Sequence, residues 1–155
     1  MNLNLGCNDL PLEGFINIDI DPSVNPDVVA DSMELPYPDN SVDEIYAGHL
    51  LEHVTSPDKA LKEWWRVLRP GGRITITVPD TKKALEMFNN GGISYDLLTQ
   101  VVYGATDRDQ QNHSHVYTES ILLDQMKPYF TATIVDDSPY AVIKVDWQTI
   151  AEGVK

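Results

Sequence analysis

Lysine and arginine are scarce in this chain. There are 11 of them against 24 aspartates and glutamates, giving a formal net charge of −13 at pH 7 over 155 residues. A surface that acidic repels phosphate backbones and anionic lipid, so nucleic acid and membrane surfaces are disfavoured as partners. The basic residues that do cluster, Lys59, Lys62, Arg66, Arg69 and Arg73, suit the polar face of one helix better than a binding patch. Cysteine is almost absent: Cys7 stands alone. No intrachain disulfide can form, and nothing points to a secreted disulfide scaffold. There is no apolar run long enough to span a bilayer and no charged segment leading into an apolar stretch. Composition therefore points to a cytoplasmic location and to one domain over residues 1–155 with a real core. A Walker-type Gly-Lys-Ser/Thr is missing as well, which removes the commonest triphosphate cradle.

What is present is an alternation of strand-like and helix-like segments. Asn2–Leu5 reads as a strand running into Gly6, and Phe15–Asp19 as a second strand ending on a carboxylate. A glycine turn after the first strand and an acid after the second are what doubly wound nucleotide-binding folds require. The glycine admits a ligand close to the backbone, and the acid accepts hydrogen bonds from a ribose diol. Asp27–Val29 and Asp43–Gly48 read as strands three and four, with turn chemistry at Leu35-Pro36-Tyr37-Pro38-Asp39-Asn40-Ser41 between them.

Pro57–Leu68 is the clearest helix. Ser56 supplies the N-cap and Pro57 the first helical position, and Leu61, Trp64, Trp65 and Leu68 form one apolar face. This phase puts Trp65 in the core beside Trp64. Pro70-Gly71-Gly72 stops the helix and Arg73–Val78 forms a fifth strand. Helices follow over Lys82–Asn89, Tyr95–Tyr103 and, capped by Thr118, Glu119–Lys127. Thr131–Val135 and Val142–Trp147 form a closing antiparallel pair. The order predicts an α/β fold: a three-layer Rossmann-like architecture, mostly parallel, with a C-terminal antiparallel strand. Ligands in such sheets bind beyond the carboxyl ends of the strands, where Gly6, Asp19 and Gly48 gather.

Five blocks in order carry a resemblance: "NLGC", "NIDID", "ADSMELPYPDNSVDEIY", "LLEHV" and "EWWRVLRPGGRITITVPD". Together, over Asn2 to Asp80, they resemble the class I S-adenosylmethionine-dependent methyltransferases of the type 11 kind. The resemblance implies S-adenosylmethionine as cofactor, S-adenosylhomocysteine as product, and methyl transfer to an acceptor, small or macromolecular, that the sequence leaves unidentified. It implies that Leu5, Gly6, Cys7 and Asn8 lie under the methionyl and ribose part, and that Asp19, with Ile20, takes the ribose. Asp31 would accept the adenine amine, with Ser32 and Met33 beside the ring. Ala47, Gly48 and His49 would border the methionyl end. Cys7 reads as a buried space-filler rather than a nucleophile, and Asp43 as structural. His49, His113 and His115 are the candidate catalytic side chains, as base or acceptor-orienting groups. His49 and His53 follow the fourth strand, nearer the expected methyl group, and His53 reads equally as a structural residue at a helix start.

Three other readings are carried along. A non-catalytic S-adenosylmethionine-binding module working with a partner predicts the same cofactor without turnover. Asp19-Ile20-Asp21 could instead hold a divalent metal and a nucleotide-sugar diphosphate, as in many glycosyltransferases. His113-Ser114-His115, with Asp107 and Asp109 nearby, could bind a metal, but an exposed loop is the preferred reading, and no metal is expected.

Two features depart from the family pattern. Asn8 stands where a second glycine is usual. Gly6–Gly14 is too short for the usual crossover helix, since parallel neighbours ordinarily need a dozen or more connecting residues. The shortened first crossover implies a thinly covered sheet face. The segment Asn90–Tyr117, a second copy of the chain in a homodimer, or a large substrate would then complete the site.

Overall fold

Asparagine alternates with leucine in the first strand, and that alternation decides how the sheet is covered. The computed structural model describes residues 1–104, 112–139 and 145–155. Among these, β1 (Asn2–Leu5), β2 (Ile16–Asp19), β3 (Val28–Val29), β4 (Val42–Gly48), β5 (Leu68–Pro79), β6 (Thr131–Val135) and β7 (Gln148–Val154) form one sheet in the order β3-β2-β1-β4-β5-β7-β6. β3, β2, β1, β4 and β5 are parallel neighbours, and β7 runs antiparallel to both β5 and β6. The strand order reverses between β1 and β4, the switch point at which such sheets bind ligands. Helices α1 (Pro57–Val67), α2 (Thr81–Asn89), α3 (Tyr95–Tyr103) and α4 (Glu119–Met126) complete the described elements.

One face of the sheet carries the core. Leu3, Leu5, Ile18, Ile45, Ala47, Ile74, Ile76 and Ala151 pack with Leu61, Trp64 and Val67 of α1 and Leu122 and Met126 of α4 in a single buried cluster. The register puts Asn4, Asn17, Tyr46, Thr75 and Glu152 in one row on the opposite face. None of them belongs to that cluster. Yet Asn4, Asn17, Tyr46 and Thr75 are all buried, so this face is covered along that row, against the thin cover that the shortened crossover implies.

The connection from β1 to β2 contains turns and no helix. Two buried asparagines make that possible. Asn17 Oδ1 accepts the Leu12 amide at 2.8 Å and the Asn4 side-chain amide at 2.9 Å, while Asn4 Nδ2 also reaches the Leu10 carbonyl at 3.2 Å. Asp27 Oδ2 accepts from the Asn17 backbone and side-chain amides at 2.8 and 3.0 Å. Side chains therefore satisfy backbone groups that a crossover helix would have satisfied internally. Replacing Asn17 with Ala leaves the Leu12 amide and the Asn4 side chain without their acceptor. We expect a loss of about 2–3 kcal/mol, read as a lower urea midpoint at unchanged slope.

Three expectations need correction. The antiparallel partner of β6 is β7, not Val142–Trp147. Residues 142–144 lie outside the described residues, and 145–147 lead into β7 without strand geometry. The β-branched run before Trp147 suggests a strand, but the position between β5 and β6 goes to Gln148–Val154, where Gly153 has no room for a side chain. A Cβ on Gly153 would come within 3.0 Å of Phe130 Cβ and 3.1 Å of Met126 Cε.

Trp65 is 40% exposed, with the Lys155 ammonium 3.9 Å from its ring centroid, whereas Trp64 is fully buried. The buried stripe of α1 is Pro57, Ala60, Leu61, Trp64 and Val67, which is rotated away from Trp65. β5 starts at Leu68 rather than Arg73, because Val42 pairs with Leu68 across a bulge and the Gly71 amide donates to the Lys155 carbonyl at 2.9 Å. Pro70-Gly71-Gly72 therefore lies inside the strand.

Candidate cofactor cleft

Arg66 links the helix to the loop that follows β3. Its guanidinium donates to both carboxylate oxygens of Glu63, to Asp39 Oδ1 at 2.7 Å, and to the carbonyls of Tyr37 and Leu35 at 2.9 and 3.2 Å. Glu63 in turn accepts the Leu35 amide at 2.7 Å. Trp64 Nε1 donates to the Ser32 carbonyl at 2.9 Å. The distant blocks of the sequence therefore cooperate: α1 fixes the loop that presents Asp31, Ser32 and Met33. Asp31 Oδ1 accepts the Met33 amide at 2.8 Å, closing the turn locally.

At the end of β1 the chain turns through Gly6, at φ 63°, and Asn8, at φ 44°. Asparagine is among the few residues that tolerate this left-handed region, which accounts for Asn8 at a glycine position. The Asn8 amide donates to Asp19 Oδ2 at 2.9 Å, and the Asp21 amide to Asp19 Oδ1 at 3.0 Å. Each carboxylate oxygen keeps lone-pair capacity for a further donor. At the end of β4, His49 is also left-handed, at φ 50°.

These strand ends border a cleft of about 1230 Å³. Of the sequence-predicted residues, Gly6, Cys7, Asn8, Asp19, Ile20, Asp31, Ser32, Met33, Gly48 and His49 line it. Leu5 and Ala47 do not. Both are fully buried in the core, so only their backbones approach the strand ends. Among the candidate catalytic histidines, His49 and His113 line the cleft and His115 does not. Leu97 and Val101 of α3, with Asn112 and Ser114, form part of the wall. The segment expected to cover the site therefore does border it. Asp107 and Asp109 fall outside the described residues.

The lining chemistry is one-sided. Asp19, Asp21, Asp31 and Glu52 border the cleft, and no lysine or arginine does among the described residues. Ile20, 60% exposed, offers an apolar surface beside Asp19. Such a cleft suits a ligand that brings hydroxyls, an amine and positive charge, and repels a diphosphate. The Asp19-Ile20-Asp21 pair is not presented as a metal clamp either, because Asp21 Oδ1 caps the short turn Pro22–Val24 through the Ser23 amide.

Sequence reasoning missed Glu52 and left His53 between a place near the methyl group and a structural one; the structure puts His53 in the cleft wall. Glu52 is 1% exposed, and neither carboxylate oxygen has a hydrogen-bond partner. His49 Nδ1 lies 3.3 Å from Glu52 Oε1, near enough for an ion pair but not aligned as a hydrogen bond. His49 Nε2 meets Gln148 Oε1 at 3.1 Å. Burial alone would push the His49 imidazole down, but the Glu52 carboxylate outweighs it and holds the ring above its ordinary pKa. Burial pushes His113 below its ordinary value. The signal for Glu52 was present in "LLEHV", where a charged residue directly follows the buried Leu51.

Cys7 is 4% exposed, and burial together with the Asp19 charge pushes its thiol up to about 11. At pH 8 that leaves a thiolate fraction of about 0.001, against about a quarter for an ordinary thiol. Alkylation by iodoacetamide should therefore run at least about 200-fold slower than for a free cysteine. A rate near the free-thiol value would contradict the space-filling role.

Comparison with known proteins agrees with this geometry. A family model described as "Methyltransferase domain" matches residues 13–76. The ubiquinone/menaquinone biosynthesis C-methyltransferase UbiE of Hahella chejuensis is 41% identical over 68 residues, covering 40% of this chain and 27% of its own length. UbiE of Escherichia coli O1:K1 / APEC is 29% identical over 131 residues, covering 82% of this chain and 49% of its own. The chain thus spans at most about half the length of these curated relatives. Among solved structures, the PH0226 protein of Pyrococcus horikoshii OT3 aligns with TM-score 0.70 at 18% identity, covering 99% of this chain and 80% of that one. A SAM-dependent methyltransferase of Thermotoga maritima, described as a possible histamine N-methyltransferase, aligns with TM-score 0.66 at 17% identity over 99% and 81%. Over residues 13–76 the chain is thus similar to a methyltransferase domain, and its fold is the one seen in these solved structures. Two of the solved structures that share this fold, from Thermotoga maritima and Methanosarcina mazei, are described as SAM-dependent methyltransferases.

Proposed function

We propose that the chain catalyses methyl transfer from S-adenosylmethionine to a small-molecule acceptor. The observation that carries this reading is the cleft at the β1/β4 switch point, bordered by carboxylates and by no described lysine or arginine. Its volume of about 1230 Å³ exceeds the roughly 300–1,000 Å³ of an ordinary ligand pocket, leaving room for cofactor and acceptor together. When bound, S-adenosylmethionine supplies a methyl group on a positively charged sulfur that is already activated to leave.

The residues divide the remaining work. Asp19 accepts the ribose hydroxyls, and Asp31 the adenine amine, with Ile20 and Met33 against the ring. Gly6 and Gly48 keep the strand ends open to the methionyl part. A Cβ at Gly6 would meet Leu50 Cδ1 at 2.8 Å on a backbone at φ 63°, so a side chain at this position is strained. The protein's main contribution to rate is position, holding acceptor and methyl in line at about 3–3.5 Å. His49 and His113 stand at the acceptor side of the cleft, where a proton acceptor is needed for acceptors that lose a proton on methylation. The net charge of −13 weighs against a nucleic-acid acceptor.

Incubation with S-adenosylmethionine carrying a radiolabelled methyl group, against fractionated small metabolites, tests this. Label is expected in a low-mass fraction with wild type and not with Asp19→Ala. Label confined to macromolecules would overturn the small-molecule acceptor, and no transfer at all would overturn the enzymatic reading.

A further inference from the structure

Buried carboxylates are held by a cation, by hydrogen bonds, or by a proton, because leaving one bare in a low-dielectric interior is costly. Glu52 borders the cleft at 1% exposure with no hydrogen bond to either oxygen, and its contact with His49, Nδ1 to Oε1 at 3.3 Å, leaves Oε2 without a hydrogen-bond partner. Beside it stand His53 and His113, each offering a ligand atom, so that the three atoms lie within 4.8 Å of one another. The two rings meet edge to face at 4.9 Å between centroids.

Their hydrogen bonds fix which nitrogen is free. His53 Nδ1 lies 3.2 Å from the Asn112 carbonyl, and His113 Nδ1 lies 3.0 Å from the Val101 carbonyl. A carbonyl only accepts, so each Nδ1 carries the proton and each neutral ring leaves Nε2 with a bare lone pair. A backbone carbonyl on one nitrogen is the usual support for an imidazole that ligates metal through the other. The main chain holds the cluster together: the Ser114 and His115 amides both donate to the Glu52 carbonyl, at 2.8 and 3.1 Å. That brings the loop bearing His113 onto the turn bearing Glu52.

We propose that Glu52, His53 and His113 bind a divalent transition-metal ion at the acceptor side of the cleft. Two imidazoles and one carboxylate are a ligand set for zinc, iron or cobalt, and three protein ligands leave a position open. Such an ion holds its donors about 3.3 Å apart, so binding draws these side chains in by roughly 1.5 Å or less. The open position faces the cleft and takes an oxygen or nitrogen donor of the acceptor, a placement that rests on the methyl-transfer reading; the metal site itself does not. This differs from the His113-x-His115 pair that the sequence suggests, since His115 is outside the cluster.

Titration of chelator-treated protein with Co²⁺, followed by visible absorption, tests the proposal. One Co²⁺ per chain is expected, displaced by Zn²⁺. Glu52→Gln and His113→Asn should each weaken binding about 100-fold or more, and His115→Asn should leave it unchanged. S-adenosylhomocysteine binding and circular dichroism, measured on the same samples, separate loss of the site from loss of the fold. If Glu52→Gln does not fold, His53→Asn and His113→Asn carry the comparison. Failure of folded wild-type protein to bind Co²⁺ stoichiometrically overturns the metal site, as does equal binding by the His113 variant or loss on His115→Asn. Co²⁺ binding without S-adenosylhomocysteine binding would leave the metal site standing and remove the methyltransferase reading.

Discussion

Asp19→Ala is expected to lower the affinity for S-adenosylmethionine by at least about 100-fold while leaving the fold intact. The carboxylate stands at the carboxyl end of β2, beside the switch point. It accepts the Asn8 and Asp21 amides, one on each oxygen. Removing it costs the hydrogen bonds to a ribose diol, each worth about 1.5–3 kcal/mol when the acceptor is charged. It also releases the left-handed turn at Gly6 and Asn8, so the ligand loses a preformed floor as well as an acceptor. Asp19→Asn keeps one acceptor oxygen and should fall between the two. Calorimetric titration on the three proteins checks this. Binding by Asp19→Ala at the wild-type level would remove Asp19 from the site.

Trp64→Ala should cost about 3–5 kcal/mol of stability. Trp64 is fully buried in the core cluster between α1 and the sheet. Its indole also donates to the Ser32 carbonyl at 2.9 Å, so truncation opens a cavity and unties the loop carrying Asp31. For a chain of this size the loss corresponds to a fall in Tm of about 6–20 °C. Cofactor affinity should fall with it. Trp65→Ala, one residue on, removes a ring that is 40% exposed and should cost well under half as much. Differential scanning calorimetry of the pair decides the matter. Equal losses would contradict the assignment of Trp64 alone to the core.

The elements with strong period or punctuation were legible in the sequence. Asn2–Leu5, Tyr95–Tyr103 and Thr131–Val135 lie where pattern and caps put them. α1 starts at Pro57 behind a Ser56 cap, as its sequence demands. The phase of α1 was less legible, because two adjacent tryptophans fit an apolar stripe equally well until the sheet chooses one. β7 was not legible. Its glycine and glutamate score poorly as strand, and only its place between two strands, above Phe130 and Met126, explains them.

The strand-end side of the cleft was legible because strand ends and turns build it, which sequence order locates. The Glu52, His53 and His113 cluster was not. It joins residues sixty positions apart through a loop whose path follows from backbone bonds to the Glu52 carbonyl. The Asn4–Asn17 pair was hidden in the same way: asparagine in a strand looks solvent-facing until a loop without a helix covers it.

One titration bears most directly on the whole reading. Chelator-treated wild-type protein is titrated calorimetrically with S-adenosylhomocysteine, and separately with a UDP-sugar in the presence of Mn²⁺, with Mn²⁺ alone as the blank. One molecule of S-adenosylhomocysteine per chain, bound without metal, and no heat from the UDP-sugar beyond the blank is the predicted result. Folded protein that ignores S-adenosylhomocysteine and binds the UDP-sugar would contradict it.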